Sequence, residues 1–401
     1  MEYSNLADGS YTFIVQVTNT AGASAEASHE WTVDTVPPNF ELTEVPTNPS
    51  IGNSARFLFT SDVGDVQCKL DSGAFAPCTA GSVNSFTSLV DGPHTLTVRA
   101  TDEAGNATVR EYKWEVACAA PNFYVDATTG NDGTNTPGTS AQPFRSITHA
   151  LTKASSGQTI KLLPGTYSAA TTGEIFPLIV QPGVCLMGDV ANKGGGSTPT
   201  RVEGLGKVTY PSGEEYNVAI GTKSDAIVAG LTISNKGAGV GIQPMGDGAI
   251  IYGNTIMGET TSIGYSGIFL RASFTKHKIL LNRITNQEDG ITASNYSLAG
   301  LAESNIITGN LHGVLFLTPD EALDLGGGSL MSSGKNQIYC NSRMDVWTNY
   351  DSTRNLANNQ WDHVPPSSKR GGTGGGIDIY IFGGNPTLRT DGATLVSSPC
   401  P

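Results

Sequence analysis

Two residues whose side chains could exchange a proton, Asp289 and His312, lie 23 positions apart in the sequence. The same step separates the short motifs that follow them, Gly290-Ile291 and Gly313-Val314. If the chain coils with that period, the carboxylate and the imidazole lie on neighbouring strands, about 4.8 Å apart. A carboxylate so placed orients an imidazole and raises its pKa, which suits a general acid or base near neutrality. The other interpretation is a solvated turn with an incidental ion pair.

The same alignment puts Ser266 in line with Asp289 and His312, and it puts Glu288 and Tyr265 one position earlier. Glycosidic hydrolysis needs paired carboxylates at a defined separation, and the sequence shows no Asp-Asp pair on adjacent coils. Asp362-His363 and Asp126 are expected to be structural. The predicted catalytic candidates are Asp289, His312, Glu288 and Arg271, the last as a possible base.

Outward positions after the Gly-Ile motifs include Phe269 and Leu315, which would form an apolar stripe on the surface. Either a long loop, residues 318–334, covers them or they form a binding surface. The acidic residues of that loop could instead bind a calcium ion, but their spacing matches no calcium loop. No metal or other cofactor is therefore predicted. The ligand-binding candidates are Tyr265, Phe269, Leu315, Asp320 and Glu321.

The elements that must position these residues carry a long repeat. Asn-x-Ile occurs four times between residues 254 and 338, and the isoleucines, counted from Ile233, step by 23, 28, 23 and 31 residues. Coils of this length cannot bury their own apolar side chains and must stack. The pattern predicts a right-handed parallel β-helix, with Asn at the bends in left-handed conformation and hydrogen-bonded to its neighbours. The alternative is an antiparallel sandwich with Asn-Gly turns.

Composition narrows the class of protein and of partner. The 401 residues are 38% hydrophobic and include 49 glycines, which indicates a turn-rich, all-β chain of two or three domains. The net charge of −13 excludes nucleic acid and anionic membrane surfaces as favoured partners. Neutral glycans, cations and basic proteins stay open. No apolar run reaches the 18 or so residues of a membrane span, and residues 1–3 do not open a signal peptide.

The six cysteines indicate disulfides and an oxidising compartment, so we expect an extracellular or bacterial cell-surface protein. Cys68 and Cys78 flank a turn-bearing segment and are expected to pair. Cys340 and Cys400 would fasten the C-terminal tail, which leaves Cys118 with Cys185. The alternative is six reduced thiols in a cytosolic protein.

The N-terminal region repeats itself at an offset of 83 residues: Leu6-x-Asp8-Gly9 recurs as Leu89-x-Asp91-Gly92, and Trp31-x-Val33 as Trp114-x-Val116. Together with the Ala-Gly turns and the Cys68–Cys78 segment, these motifs resemble the immunoglobulin-like modules of bacterial surface proteins. The resemblance implies one complete β-sandwich module at 37–117. Residues 1–36 are expected to be the closing part of a preceding, truncated module.

Residues 118–401 open with Phe123-Tyr-Val-Asp, continue through Pro-Gly-Thr-Tyr at 164–167 and the Asn-x-Ile coils, and close with Asn359-Gln-Trp-Asp-His. These motifs resemble pectate-lyase-like β-helix proteins, especially a bacterial family of unknown function. The resemblance implies a short N-terminal capping helix at about 146–154. The far end of a β-helix also exposes strand edges and core side chains, and residues 343–400, which include Trp347 and Trp361, are expected to cap it. Enzymes of that superfamily use an acidic calcium cluster with an arginine or lysine base, or paired aspartates.

The leading hypothesis is therefore a stalk-and-head protein, in which the β-helix recognises a polysaccharide or cell-surface glycan without turnover. A polysaccharide lyase or glycoside hydrolase acting in a lateral groove is the alternative, and a purely structural surface protein is the third. The sequence leaves the oligomeric state open.

Overall fold

A computed structural model describes residues 2–210, 213–235, 237–258, 266–271, 274–294, 299–318, 323–371, 376–397 and 400. The chain divides into two compact units, Met1–Ala119 and Ala120–Pro401. Strands dominate both units, as the composition predicts. Within the described ranges, no helix reaches the length and apolarity of a membrane crossing.

The first unit begins with an antiparallel hairpin of β1 (Gly9–Thr18) and β2 (Ser24–Val33), whose side chains are mostly exposed. Two further sheets enclose a core that includes Phe57, Leu96 and Trp114. The assignment of residues 37–117 to the immunoglobulin-like class stays a prediction, as do the domain boundaries. The strands of the two sheets are β3 (Phe40–Glu44), β4 (Ser50–Ile51), β5 (Ser54–Ser61), β6 (Asp65–Leu70), β7 (Ala76–Pro77), β8 (Asn84–Thr87), β9 (Gly92–Thr101) and β10 (Ala107–Ala117).

The second unit is a right-handed parallel β-helix whose coils run through three sheets in turn. The first sheet contains β11 (Phe123–Val125), β12 (Thr159–Leu162), β15 (Cys185–Met187), β19 (Ile227–Ala229), β22 (Ile250–Tyr252), β25 (His277–Leu280) and β28 (Gly300–Glu303). The second contains β13 (Gly165–Ser168), β16 (Thr200–Glu203), β20 (Thr232–Asn235), β23 (Thr255–Gly258), β26 (Arg283–Thr285), β29 (Ile306–Thr308), β31 (Gln337–Tyr339), β34 (Gln360–Trp361) and β38 (Thr394–Leu395).

The third sheet is the longest, and a hairpin strand, β17 (Gly206–Thr209), pairs antiparallel with one of its members. Two short strands outside the three sheets, β33 (Thr353–Asn355) and β37 (Thr387–Arg389), pair with each other in parallel. The third sheet contains β14 (Leu178–Val180), β18 (Glu215–Thr222), β21 (Val240–Pro244), β24 (Ser266–Arg271), β27 (Asp289–Ser294), β30 (His312–Phe316), β32 (Met344–Thr348), β35 (Ser368–Arg370) and β36 (Ile377–Ile381).

Both apolar rows seen in the sequence form inward stacks along the helix axis. In the second sheet the isoleucines of successive coils pair directly, and each is fully buried. The third sheet does the same with its Gly-Ile motifs. Burial of one such side chain contributes about 1.5–3 kcal/mol, so the stacks supply much of the core. Their members are Ile233, Ile256, Ile284, Ile307 and Ile338, and Ile242, Ile268, Ile291 and Val314.

A short helix, α1 (Ile147–Lys153), lies at the N-terminal end of the β-helix, which confirms the predicted cap. Ser146 caps its N-terminus, and the Glu174 carboxylate accepts hydrogen bonds from the first two backbone N–H groups of the helix. Ile147 and Leu151 pack into the core. The helix therefore covers core side chains that the first coil would otherwise expose.

The asparagines of the Asn-x-Ile motifs form a fully buried ladder. The Oδ1 atom accepts hydrogen bonds from the backbone N–H and from the Nδ2 group of the asparagine one coil earlier, at 2.9–3.0 Å, in Asn282, Asn305, Asn336 and Asn359. Asn254 Oδ1 accepts instead from the Leu231 N–H, and Asn359 extends the row beyond the four Asn-x-Ile motifs. The predicted hydrogen bonding is confirmed, but the predicted left-handed conformation is wrong by one position. The residue before each asparagine has positive φ, as in Leu281 (59°), Ser304 (56°) and Lys335 (60°). The left-handed residue makes the bend, and the asparagine then points inward. The ladder consists of Asn254, Asn282, Asn305, Asn336 and Asn359.

The disulfides Cys68–Cys78 and Cys340–Cys400 are confirmed, with Cα atoms 5.7 and 5.3 Å apart. Cys118 and Cys185 are disulfide-bonded as well. The first bridge lies in the first unit, and the Cys340–Cys400 bridge ties the C-terminal tail to the turn after β31. Disulfides in these numbers agree with the oxidising compartment that the sequence predicts.

We expect Asn305→Ala to lower the free energy of unfolding by about 3 kcal/mol. The substitution leaves the Asn282 donors, the Ile279 carbonyl and the Asn336 Oδ1 atom short of a buried partner. Urea unfolding measures the change, and the exposed Asn135→Ala is the matched control with an effect below about 0.5 kcal/mol. Equal effects of the two substitutions would contradict the role of the ladder.

A second prediction concerns acid stability. His277 in β25 is 2% exposed, and burial lowers its pKa to about 4, although the charge of Asp247 opposes the shift. The pKa of this histidine in the unfolded chain is about 6.5. Its contribution to the free energy of unfolding is therefore fully present above pH 6.5 and is lost as the pH falls toward 4. The loss by pH 4 is about 3 kcal/mol. Unfolding of the wild type and of His277→Gln at pH 7 and pH 4 tests this, since the variant lacks that component. The same pH dependence in both proteins would refute it.

Candidate functional site

The carboxylate and imidazole predicted to meet do so on the outer edge of the third sheet. Asp289 begins β27 and His312 begins β30, and the two residues are paired in register. Asp289 Oδ1 lies 2.8 Å from His312 Nδ1, and the side chains are 15% and 14% exposed. With Nδ1 donating to the carboxylate, Nε2 of the neutral ring is the acceptor. The pair can therefore position one imidazole nitrogen for a ligand hydroxyl.

Neighbouring hydroxyls complete the environment of Asp289. Thr292 donates from Oγ1 to Asp289 Oδ2 at 3.2 Å, and Ser266 is hydrogen-bonded to Thr292 in turn. Glu288 contributes its backbone carbonyl, which accepts from the His312 N–H at 2.8 Å. Tyr265 lies outside the described residues. Both oxygens of Asp289 thus have protein partners, so the carboxylate is held to orient the imidazole.

Arg271 lies at the far end of β24 from Ser266, away from the Asp289–His312 pair. Its guanidinium is 4.1 Å from the ring centre of Tyr210 and 5.2 Å from that of Tyr216, and it pairs with the Glu214 carboxylate. The structure does not bring it to the pair as a base. It is a cation held between two aromatic rings and an acid.

Phe269 is covered, and the cover is not the loop that the sequence suggests. Its side chain is 9% exposed, and the hairpin of β17 and β18 places Tyr216 against it with ring centres 5.3 Å apart. Val218 and Val240 complete this small apolar cluster. Phe269 is therefore a packing residue beneath the hairpin, whereas Leu315, half-buried, lies further along the same row.

The 318–334 loop has a structural acid. Asp324 is fully buried, and its carboxylate accepts hydrogen bonds from the backbone N–H groups of Gly326, Gly328, Leu330 and Ser332. It holds the loop closed. The predicted ligand residues Asp320 and Glu321 lie outside the described residues.

A polar group of side chains lies beneath the same hairpin. Gln243 is fully buried, and Tyr210 and Arg271 adjoin it. Among the described residues, the Tyr210 hydroxyl, both amide atoms of Gln243 and Nη1 of Arg271 lack a well-directed hydrogen bond. Burial raises the pKa of Tyr210, and the Arg271 charge opposes that rise. These groups offer hydrogen-bond donors and acceptors near the C-terminal ends of β21 and β24.

Beyond His312 the outer face of the sheet becomes apolar. Leu315 is in register with Trp347, and Trp347 with Tyr380. The Trp347 ring is half-buried and lies 5.8 Å from that of Phe382, which is 62% exposed. Trp347 was expected in the C-terminal cap. Its strand instead continues the third sheet, so an accessible aromatic surface adjoins the Asp289–His312 pair.

The structure also shows an acidic cluster that is not predicted from the sequence. Asp362 and Asp378 lie within hydrogen-bonding separation, and His363 Nδ1 is 3.1 Å from a carboxylate oxygen of each. Burial raises the pKa of Asp378, and the Asp378 carboxylate raises the pKa of His363. The expectation of no Asp-Asp pair is therefore wrong. In Asp345-Val346 and Asp378-Ile379 an aspartate replaces the glycine of the Gly-Ile motif, and extending that alignment by two coils would have found two of the acids.

A protein-family model described as "Protein of unknown function (DUF1565)" matches residues 128–368, more than half of the chain. No curated protein matches the chain. Three solved structures are similar at low identity. A family 28 exopolygalacturonase from Yersinia enterocolitica has 12% identity and a TM-score of 0.36, covering 89% of this chain and 87% of its own. Pectate lyase Pel9A has 13% identity and a TM-score of 0.36, and the match covers 68% of this chain and 77% of the lyase. The pectin methylesterase from Aspergillus niger has 11% identity and a TM-score of 0.34, and the match covers 71% of this chain and 93% of the esterase.

Proposed function

The chain belongs to the DUF1565 family of proteins of unknown function. From the side chains on the outer face of its third sheet, we propose that the β-helix binds an extended, neutral polysaccharide. The surface that we assign to the ligand, called here the sheet-three surface, consists of His312, Leu315, Leu317, Trp347 and Phe382.

The observation that carries the proposal is the aromatic pair of Trp347 and Phe382 next to a polar edge. Aromatic rings offer a large apolar face at a low cost in side-chain entropy, and the carbon-bound hydrogens of a sugar ring are an apolar partner for such a face. Ligand sites combine such apolar area with a few fixed polar groups. Here His312 and the Asp289 and Thr292 network that orients it supply those groups.

The size and charge of the surface favour a long, uncharged ligand. From β27 to β36 the third sheet advances by three strand spacings, about 14 Å, which exceeds the size of one sugar ring. The chain has a net charge of −13, so an acidic polymer would be repelled over the Debye length. Arg271, the cation that the sequence offered as a base, lies away from this surface and is paired with Glu214.

Catalysis in the same place is the second candidate, and the 2.8 Å contact between Asp289 and His312 favours it. An oriented imidazole can act as a general base. Hydrolysis of a glycosidic bond, however, uses two carboxyl groups flanking the bond. Asp289 has both oxygens hydrogen-bonded, to His312 and Thr292. Recognition without turnover therefore fits this arrangement better.

The setting proposed for this activity is outside the cell or on its surface. The disulfide-bonded cysteines support it because such bridges persist in oxidising compartments. In this proposal the first unit, Met1–Ala119, is a spacer that presents the β-helix to its glycan.

We expect Trp347→Ala to weaken binding of the recognised polysaccharide at least tenfold, about 1.4 kcal/mol. Screening against neutral and acidic polysaccharides identifies the ligand, and calorimetry measures the affinity. Ile175→Ala is the matched control, because Ile175 is 71% exposed on an early coil away from the sheet-three surface. Unchanged affinity in Trp347→Ala would rule out this surface as the binding site.

We expect no products when the wild type is incubated with the same polysaccharides. Ultraviolet absorbance detects lyase products, and reducing ends detect hydrolysis. Turnover that disappears in His312→Ala and in Asp289→Asn would replace the binding proposal with the enzymatic one. Turnover unaffected by either change would place the reaction elsewhere.

A further inference from the structure

We propose that Asp362, His363 and Asp378 bind a divalent transition-metal ion of the Zn²⁺ type, which fastens the final coil of the β-helix. Asp362 and His363 directly follow β34 of the second sheet, and Asp378 lies in β36 of the third sheet. A bound ion would therefore close the segment of residues 364–377 at its two ends. This metal site is separate from the sheet-three surface and does not depend on the proposed function.

The spacing of the donor atoms suits a small tetrahedral ion. Zn²⁺ binds imidazole nitrogen and carboxylate oxygen at 2.0–2.2 Å, so the ligand atoms of a tetrahedral site lie about 3.3–3.6 Å apart. His363 Nδ1 is 3.1 Å from Asp362 Oδ1 and 3.1 Å from Asp378 Oδ2. One ligand atom from each of the three residues lies within 4.8 Å of the other two. Small shifts would bring all three to bonding distance of one ion.

A buried oxygen atom points to a missing partner. Asp378 is fully buried, and its Oδ2 atom is the one that faces His363. Its Oδ1 atom has no directed hydrogen bond from a described residue, although the Asp362 carboxyl group lies within hydrogen-bonding separation of Asp378. Its other oxygen, Oδ2, accepts from both the N–H and the hydroxyl group of Ser367, at 2.6 and 2.5 Å. A buried carboxylate oxygen without a donor costs free energy that a cation would offset. Ser367 meanwhile orients the carboxylate, as residues outside the coordination sphere do in metal sites.

Charge supports the same conclusion. Asp345 adds a third carboxylate, because it lies between Met344 and Val346, whose register partners Ile377 and Ile379 flank Asp378 on the neighbouring strand. Asp345 itself accepts from the Asn341 backbone and Nδ2 groups, so its partners are satisfied. That leaves Asp362 and Asp378 facing a single imidazole. A divalent ion would neutralise the repulsion between these two carboxylates, because a bound cation is the largest local charge in such a cluster.

The donor set selects the class of ion. Two oxygens and one imidazole nitrogen are typical of Zn²⁺ and its neighbours in the first transition row. Ca²⁺ prefers six to eight oxygen ligands, and Mg²⁺ an octahedron of oxygens. His363 is 53% exposed, so water could take a fourth position. Cys340 and Cys400, close to Asp362, are joined in a disulfide and are not thiolate ligands.

The test uses the full chain, freed of metal with a chelator and kept without reductant so that the Cys340–Cys400 bridge stays closed. Calorimetry with Zn²⁺ is expected to show one site per chain, and Zn²⁺ is expected to raise the melting temperature. His363→Ala and Asp378→Asn should each weaken Zn²⁺ binding at least a hundredfold. Ca²⁺ and Mg²⁺ should bind the wild type at least a hundredfold more weakly than Zn²⁺.

The matched control is Asp71→Asn, since Asp71 and His94 form a carboxylate–imidazole pair at 2.8 Å that has no second carboxylate partner among the described contacts of His94. It should leave Zn²⁺ binding unchanged. Absence of Zn²⁺ binding by the wild type, or equal binding by wild type and His363→Ala, would overturn the proposal. Because His363 is exposed, His363→Ala is expected to fold, and circular dichroism checks this for both site variants.

Discussion

The register between stacked coils is the constraint on which the rest of the second unit depends. It is fixed by buried amide groups, each of which is hydrogen-bonded to the asparagine one coil away. A slip of one residue would break these bonds and turn every inward isoleucine of the second sheet outward. Apolar stacking alone tolerates small displacements, because dispersion contacts are not directional. The asparagine ladder converts a stack of coils into a single alignment, and the outward positions of the third sheet inherit it.

A second ladder runs along the turn between the second and third sheets and explains why acids occur at its end. Asn310 Nδ2 donates a hydrogen bond to Asn341 Oδ1, and Asn341 Nδ2 donates one to Asp345 Oδ1 at 2.7 Å. An amide both donates and accepts, so a row of amides needs an acceptor at its last member. Asp345 is that acceptor. It occupies the row that the glycines of Gly290 and Gly313 occupy in earlier coils.

Much of this was predictable because it depends on a fixed period. Steps of 23 residues in the sequence correspond to register pairs in the structure, and they predict the positions of Ile256, Ile307 and the Asp289–His312 pair. One feature that escaped prediction has no period. The hairpin that buries Phe269 is inserted between two coils, and antiparallel pairing within an insertion leaves no mark on the repeat.

Other features escaped because a residue type changed while the position stayed the same. Asp345 and Asp378 replace glycines, so a search for Gly-Ile stops two coils too early. The bends show the converse case: the asparagine is visible in every motif, but the left-handed residue before it is Gly253, Leu281, Ser304 or Lys335. Of these residue types only glycine favours positive φ, so residue preference does not identify the position along the repeat.

The same geometry bears on the choice between the proposed binding function of the third sheet and its enzymatic alternative. A carboxylate that acts on a glycosidic bond must keep an oxygen for the substrate. Asp289 gives one oxygen to His312 and the other to Thr292, so what it offers the ligand is an oriented imidazole. The acids that do lie together, Asp362 and Asp378, hold His363 between them, and Ser367 also binds Asp378. Acid pairing thus occurs at the end of the helix, whereas the sheet-three surface combines one oriented imidazole with aromatic rings, which is the combination that the proposed binding of a polysaccharide uses.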